Sequence, residues 1–184
     1  MFKIKEGDIL LFSGKGIVSN IIKLASFSRW SHIGVMVKYN NELKILESTT
    51  LFENKTGKRV KGVQLVYPEY RLSTYKGKIA RLSYTGRPID RERSDHFIRV
   101  MDTTPYEKNR IELSKAALDL FHFKNKRDIS SVFCSELVAE YLQYVMQFDL
   151  KMVSNEYTPG DFEKRKEFKK IYGDLRRINN GVKL

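Results

Sequence analysis

The segment of this 184-residue chain that most constrains its fold is a predicted β-hairpin. Residues 33–39 are apolar and rich in β-branched side chains, which is typical of a buried strand. Asn40 and Asn41 are typical turn residues, and residues 43–49 return with strand character. Two antiparallel strands joined by so short a turn have few possible registers, so the hairpin fixes which side chains can meet.

The register of the hairpin brings a histidine and a glutamate onto one face. If the turn is symmetric, Tyr39 lies opposite Glu42, and paired residues have numbers that sum to 81. Glu47 then lies opposite Gly34 and is a diagonal neighbour of His32, with roughly 6–8 Å between their Cβ atoms. A loop with an odd number of residues would reverse this facing. Taken alone, such a pair is more often a structural hydrogen bond than part of a catalytic site.

The remaining segments alternate between strand and helix patterns, which indicates an α+β fold. Strands are predicted at 8–12, 63–66 and 78–83, and helices at 17–26, 90–101 and 132–147, while 107–130 is ambiguous and 171–178 is either a last strand or a charged helix. The length suits one core, so we expect a single domain over residues 1–184, with a small antiparallel sheet packed against helices.

The composition points to a globular protein of a reducing compartment. Apolar residues make up 41% and aromatic residues 12% of the chain, and no apolar run approaches the ~20 residues that span a bilayer. The apolar stretch after the first residues is too short for a signal peptide. With one cysteine as well, we expect a cytoplasmic protein that has no disulfide, no metal and no cofactor.

The net charge of +12 is spread along the whole chain and is not gathered in a tail. Such a surface attracts phosphates, anionic lipid or acidic substrates, although a merely solvated basic surface is the plainer explanation. No zinc-finger spacing or aromatic RNA-binding motif accompanies the charge, so no specific nucleic-acid partner is predicted.

The single cysteine, Cys134, lies near the start of the clearest predicted helix. The apolar stripe of this helix recurs at i, i+4, i+7 and i+11 and consists of Cys134, Val138, Tyr141 and Val145. At a helix N-terminus the backbone dipoles favour the thiolate, which is the nucleophilic form of cysteine. The alternative is a buried cysteine that only fills the core.

A cysteine nucleophile needs a histidine within reach, and the chain offers three. His96 belongs to a charged helical segment and His122 lies between two phenylalanines, so both are interpreted as surface or half-buried residues. His32 opens a strand, which is a rigid mount for a catalytic imidazole. In a cysteine hydrolase, Cys134 would attack a carbonyl, His32 would transfer the proton, and Glu47 would orient the imidazole.

Four short motifs in this order resemble the circularly permuted NlpC-type papain-like hydrolases, and among them the YiiX-like branch, with bacterial and poxviral members. They are Gly-Asp-Ile-Leu-Leu-Phe at 7–12, Ser-His-Ile-Gly-Val at 31–35, Leu-Glu-Ser at 46–48 and Phe-Cys-Ser-Glu-Leu-Val at 133–138. In ordinary papain-like enzymes the cysteine precedes the histidine, whereas here His32 comes first, as the permuted branch requires. The resemblance implies a permuted papain-like fold in which Cys134 is the nucleophile, His32 the base and Glu47 the third member of a triad.

The resemblance also adds a substrate-binding candidate and three functional hypotheses. Tyr106 lies in a segment similar to the family's Tyr-Asp segment, with Glu107 in place of Asp, and could form the site wall or bind the oxyanion. The leading hypothesis is a thiol peptidase or amidase that acts on a peptide or other amide. The others are a lipid acyl hydrolase or acyltransferase with an acyl-lipid substrate, and a binding module without catalysis.

Overall fold

One antiparallel sheet of six strands organises the protein, with the spatial order β4-β3-β2-β1-β5-β6. A computed structural model describes residues 4–53, 59–102 and 131–171. The strands are β1 (Ile9–Gly14), β2 (His32–Tyr39), β3 (Glu42–Glu53), β4 (Arg59–Val66), β5 (Gly77–Tyr84) and β6 (Phe168–Ile171). The helices are α1 (Ile17–Ala25), α2 (Pro68–Thr74), α3 (Arg91–Asp102) and α4 (Ser131–Tyr144), with short 3-10 helices at Ser154–Glu156 and Asp161–Lys164. The α+β class and the antiparallel sheet packed against helices are confirmed.

Strand β1 lies inside the sheet and is buried on both faces. Ile9, Leu10, Leu11 and Phe12 are all fully buried, which explains why this strand is a continuous apolar run without alternation. Ile9 and Leu11 face the main core with helices α3 and α4, while Leu10 and Phe12 face a smaller core closed by α2. The sheet is therefore covered by helices on both sides.

The hairpin of β2 and β3 has the register that the sequence predicts. Gly34 pairs with Glu47 and Tyr39 pairs with Glu42. Asn40 and Asn41 have φ angles of 50° and 62°, the left-handed conformation that a type I′ turn requires at both central residues. Because this turn contains two residues, paired side chains on β2 and β3 point to the same face of the sheet.

Some elements differ from the sequence-based expectation. Strand β4 begins at Arg59 rather than at residue 63, because its first part pairs with the far end of β3. Pro68 does more than end that strand, since it opens helix α2, where its fixed φ and missing N–H are tolerated. The last described strand, β6, precedes the predicted segment 171–178, of which all but the first residue lies outside the described ranges.

Helices α3 and α4 pack together against β2, β3 and β4. The predicted apolar face of α3 is confirmed, since Phe97, Ile98 and Met101 are buried. Helix α4 ends at Tyr144, three residues before the predicted end, and its stripe residues from Cys134 to Tyr141 are buried in the main core. Among the helices of the described ranges, none is long and apolar enough to cross a membrane.

Candidate functional site

His32 is the first residue of β2 and is held at the edge of the core. The N–H of the preceding residue, Ser31, donates to the carbonyl of Phe12 at 2.8 Å, which fixes where the strand begins. The imidazole ring packs against the ring of Phe12 with 5.4 Å between centroids. Only 15% of the His32 side chain is exposed, so the ring is largely shielded from solvent.

Glu47 lies on β3 with a fully buried side chain, and both of its carboxylate oxygens have partners. Its Oε2 atom is 2.7 Å from Nε2 of His32. The side-chain amide of Gln64 donates to Oε1 at 2.9 Å. Nε of Arg71 lies 3.0 Å from Oε1 and 3.1 Å from Oε2. The carboxylate is therefore held by a cation, an amide and the imidazole together.

Arg71 is itself fixed by aromatic rings. Its guanidinium lies 5.0 Å from the ring centroid of Phe12 and 5.2 Å from that of Tyr75. Such cation–π contacts are strong where water is excluded, and the Arg71 side chain is almost completely buried. The positive charge that Glu47 needs is thus part of the packed core between β3 and α2.

These contacts set the charge of Glu47. Burial alone would raise the pKa of its carboxyl group, but the charges of Arg71 and His32 and their hydrogen bonds outweigh it and lower the pKa to about 2. Glu47 is consequently ionised at neutral pH, and it can stabilise a positively charged imidazole at its side.

Cys134 reaches His32 from the helix that packs against the sheet. It is the fourth residue of α4, within the first turn, and only 1% of it is exposed. The Cys134 and His32 side chains are hydrogen-bonded. Because Nε2 of His32 is engaged by Glu47, Nδ1 is the ring nitrogen that remains for the sulfur. The structure therefore brings the three residues into one chain of contacts, Cys134–His32–Glu47.

The charge state of His32 follows from both neighbours. Burial alone would lower the pKa of its imidazole, but the hydrogen bond and negative charge of Cys134, followed by those of Glu47, raise it to about 9. The imidazolium is thus the preferred form of His32 at neutral pH. Its two partners are the buried carboxylate of Glu47 and the sulfur of Cys134 in the first turn of α4.

Of the other residues considered from the sequence, only His96 lies within the described part of the chain. His96 is exposed on α3, near the ring of Tyr144, in agreement with its interpretation as a surface residue. Tyr106, Glu107 and His122 lie outside the described residues. Gln64 and Arg71, which hold the Glu47 carboxylate, were not predicted from the sequence. The one available signal was that a buried glutamate needs a cation, and Arg71 lies between the predicted strands at 63–66 and 78–83, where the sequence predicts no element.

The donor set does not fit a bound metal ion. Within the described ranges, no group of three or more His, Cys, Asp and Glu side chains is arranged to hold one. Glu47 has both oxygens engaged, and the Arg71 charge beside it opposes a second cation. We therefore assign no metal to these three residues.

Comparison with known proteins gives the fold. No family model matches the chain, and no curated protein is similar to it in sequence. Among solved structures, it is similar to the crystal structure of the metalloprotein YiiX from Escherichia coli O157:H7 (DUF1105). The match has a TM-score of 0.55 and 16% sequence identity, and it covers 93% of this chain and 98% of that one. The chain has a YiiX-like α+β fold.

Proposed function

We propose that this protein is a thiol hydrolase, a peptidase or amidase on a permuted papain-like fold, with Cys134, His32 and Glu47 as its catalytic triad. The observation that carries the proposal is the position of His32 between the other two, bonded to Cys134 through one side of its ring and to Glu47 through Nε2. The YiiX-like fold and the order of the residues, with the histidine strand before the cysteine helix, agree with a permuted papain-like arrangement.

The reaction divides into two acyl transfers. The Cys134 thiolate attacks the amide carbon and forms a C–S bond, and the negative charge moves to the carbonyl oxygen. When the tetrahedral intermediate collapses, the C–N bond breaks and His32 gives its proton to the leaving amine. A water molecule then attacks the thioester carbon while His32 takes its proton. The C–S bond breaks, the carboxylic acid leaves, and the thiolate–imidazolium pair is regenerated. Glu47 does not exchange protons in either step, since it orients and stabilises the imidazolium.

A lipid acyl hydrolase or acyltransferase is the second candidate. The same nucleophile and base would cleave an ester by the same two steps, so the triad does not separate the two substrates. The specific observation in favour of lipid is an exposed apolar face on α1, the helix that directly precedes the His32 strand.

Acyl-enzyme formation tests the proposal even while the natural substrate is unidentified. The protein is incubated with panels of activated peptide amides, thioesters and fluorogenic phospholipids, and its intact mass is followed. We expect an acyl adduct on Cys134 that is absent in Cys134→Ala. In His32→Ala the adduct should form roughly 10²–10⁴-fold more slowly. His96→Ala is the matched control, because this histidine lies on the surface of α3.

Thiol reactivity separates a hydrolase from a binding module. The wild-type protein should react with iodoacetamide at about pH 6 faster than His32→Ala does, since an isolated thiol with a pKa of ~8.5 is protonated there. Equal alkylation rates in both proteins, together with no acyl adduct from any panel, would leave only the non-catalytic binding module.

A further inference from the structure

Helix α1 carries a row of large apolar side chains that contact solvent. Ile17, Ile21 and Leu24 recur at i, i+4 and i+7, and they are 81%, 60% and 76% exposed. Phe27, just after the helix, is 98% exposed. The other large apolar side chains exposed in the described ranges reach only 37% to 39%. We call these four residues the α1 face. Exposed apolar surface concentrated in this way marks an interaction site.

The backbone at Phe27 holds this ring outside the protein. The N–H of Ser28 donates to the carbonyl of Lys23 at 3.0 Å, and the N–H of Phe27 donates to that of Leu24 at 3.3 Å. These two bonds form a Schellman motif, in which the residue at the place of Phe27 is left-handed and is usually glycine. Phe27 has a φ of +48° there. This is unfavourable in the isolated protein for two reasons: a bulky aromatic residue is strained at a positive φ, and its apolar ring is left in contact with water.

The cleft beside the N-terminal end of the α1 face is basic. An open cleft of about 420 Å³ lies at the N-terminal end of the helix, and its lining includes Lys15, Lys76 and Ser19. Both of these lysines are exposed, and the lining contains no carboxylate among the described residues. Lys23 donates to the carbonyl of Gly14 at 2.9 Å, which attaches the helix to the end of β1 beside the cleft.

We propose that the α1 face docks on the surface of an anionic lipid bilayer. The apolar side chains enter the boundary between headgroups and acyl chains, while Lys15 and Lys76 contact lipid phosphates. A helix of nine residues is far too short to span the bilayer, but it can lie in the interface plane with one face buried. The net charge of +12 adds long-range attraction to the same surface.

A second copy of the chain fits the α1 face less well than a bilayer does. Four side chains bury roughly a few hundred Å², whereas a stable protein interface buries about 800 Å² on each partner. A like-charged copy would also be repelled by the lysines at the cleft. A bilayer needs no matched surface and supplies the opposite charge.

Docking would also orient the candidate site. Arg71, which holds Glu47, lines the same cleft as Lys15 and Lys76, so the membrane would lie next to the elements that carry the triad. The docking inference does not depend on catalysis, and it would stand if the proposed hydrolase activity failed.

Sedimentation with vesicles tests the proposal. The full-length protein is mixed with vesicles of pure phosphatidylcholine, or with vesicles in which part of that lipid is replaced by phosphatidylserine. We expect binding to the second kind and little to the first, and weaker binding as salt is raised. Phe27→Gly and Leu24→Gln keep the net charge, and each should lower the partition coefficient about tenfold.

The variants separate docking from plain charge attraction and from misfolding. Phe27→Gly suits the left-handed backbone, so this variant should be at least as stable as the wild type in thermal unfolding. Val100→Gln removes an exposed apolar side chain from α3 and should leave binding unchanged. Binding that is equal in the wild type, Phe27→Gly and Leu24→Gln would overturn the proposal. Self-association of the lipid-free protein that Phe27→Gly abolishes, without vesicle binding, would overturn it in favour of a dimer.

Insertion can be measured directly with Phe27→Trp. The native Trp30 is buried, so the new indole provides a distinct exposed signal. On anionic vesicles its emission should shift to shorter wavelength and be quenched by lipids brominated on the acyl chain. Quenching that is absent while the protein sediments with the vesicles would contradict insertion of the α1 face.

Discussion

Nε2 of His32 lies 2.7 Å from Oε2 of Glu47, and this contact joins two residues fifteen positions apart across the β2–β3 hairpin. It commits one ring nitrogen of the histidine to a buried carboxylate. The other ring nitrogen is then directed to Cys134, whose hydrogen bond and charge raise the pKa of the same imidazole. The pair therefore fixes both the orientation and the charge of His32, which are the two properties that a proton-transferring histidine needs.

Titration of His32 by NMR should give a pKa of about 9 in the wild-type protein. Cys134→Ala removes the strongest contributions that raise this pKa, and Glu47→Gln removes the next, so each variant should titrate at lower pH. Glu163→Gln is the control for loss of a carboxylate, because Glu163 pairs with Arg29 and Lys170 and is not among the groups that shift the pKa of His32. A wild-type value near 6.5 would mean that the three side chains do not interact as described.

The free energy of unfolding should depend on pH through both His32 and Glu47. The pKa of His32 is raised from 6.5, so its contribution to the free energy of unfolding is complete below about pH 6.5 and disappears as the pH rises through about 9. The pKa of Glu47 is lowered from 4.5, so its contribution is complete above about pH 4.5 and disappears as the pH falls through about 2. Both contributions are present together between these limits.

Comparison with His32→Gln isolates the histidine from other titrating groups. Burial raises the pKa of Asp8 and of Glu140. These two groups therefore lower the free energy of unfolding as the pH rises through the acidic range, in the opposite direction to Glu47. We expect the stability difference between wild type and His32→Gln, measured by urea unfolding, to shrink between about pH 6.5 and 9. A difference that stays constant over that interval would contradict the raised pKa of His32.

Arg71→Leu should be among the most destabilising substitutions in the described part of the chain. It would leave the Glu47 carboxylate buried without its cation, which typically costs about 3–5 kcal/mol. Gln64→Leu removes one hydrogen bond from the same carboxylate and should cost about 1–3 kcal/mol. Arg29→Leu breaks a more exposed ion pair and serves as the control, with an expected loss of at most about 1 kcal/mol.

A double variant tests the cause of that loss. In Arg71→Leu with Glu47→Leu, the unpaired charge is gone and much of the stability should return, because apolar residues of similar volume can replace a buried ion pair. If the double variant is as unstable as Arg71→Leu alone, the loss comes from the packing of Arg71 against Phe12 and Tyr75 instead.

The hairpin could be predicted from the sequence because its determinants are local. Two adjacent asparagines, each able to adopt a left-handed backbone, form a two-residue turn. Because the number of turn residues is even, His32 and Glu47 lie on the same face of the hairpin. The burial of Cys134 also followed from local periodicity, since the stripe of its helix faces the core.

The support of Glu47 could not be predicted in this way. Arg71 lies 24 residues further along the chain, and its contact depends on a helix that begins directly after β4. In sequence, Pro68 was as consistent with the end of a strand as with the start of a helix. The exposure of α1 could not be predicted either. The spacing of its apolar residues shows that the helix has an apolar face, but not whether another element packs against that face.

Gly34→Ala should disturb the hairpin where the two candidate residues meet. Gly34 pairs with Glu47, and an added Cβ would lie 2.7 Å from Cγ2 of Ile45, 3.2 Å from the carbonyl oxygen of Leu46 and 3.3 Å from Cβ of Glu47. Steric crowding of this kind in a packed core costs about 1–3 kcal/mol. Because the crowded atoms include the Cβ of Glu47, the His32–Glu47 contact should loosen and the pKa of His32 should fall.

Gly16→Ala is the matched control for the Gly34 substitution. A Cβ at Gly16 has no heavy atom within 4 Å, so the change in unfolding free energy should stay within about 1 kcal/mol, the usual scale for a helix N-cap residue. The two variants are compared by urea unfolding and by the NMR titration of His32. If Gly34→Ala matches Gly16→Ala in both measurements, β2 and β3 do not hold His32 and Glu47 as tightly as their register implies.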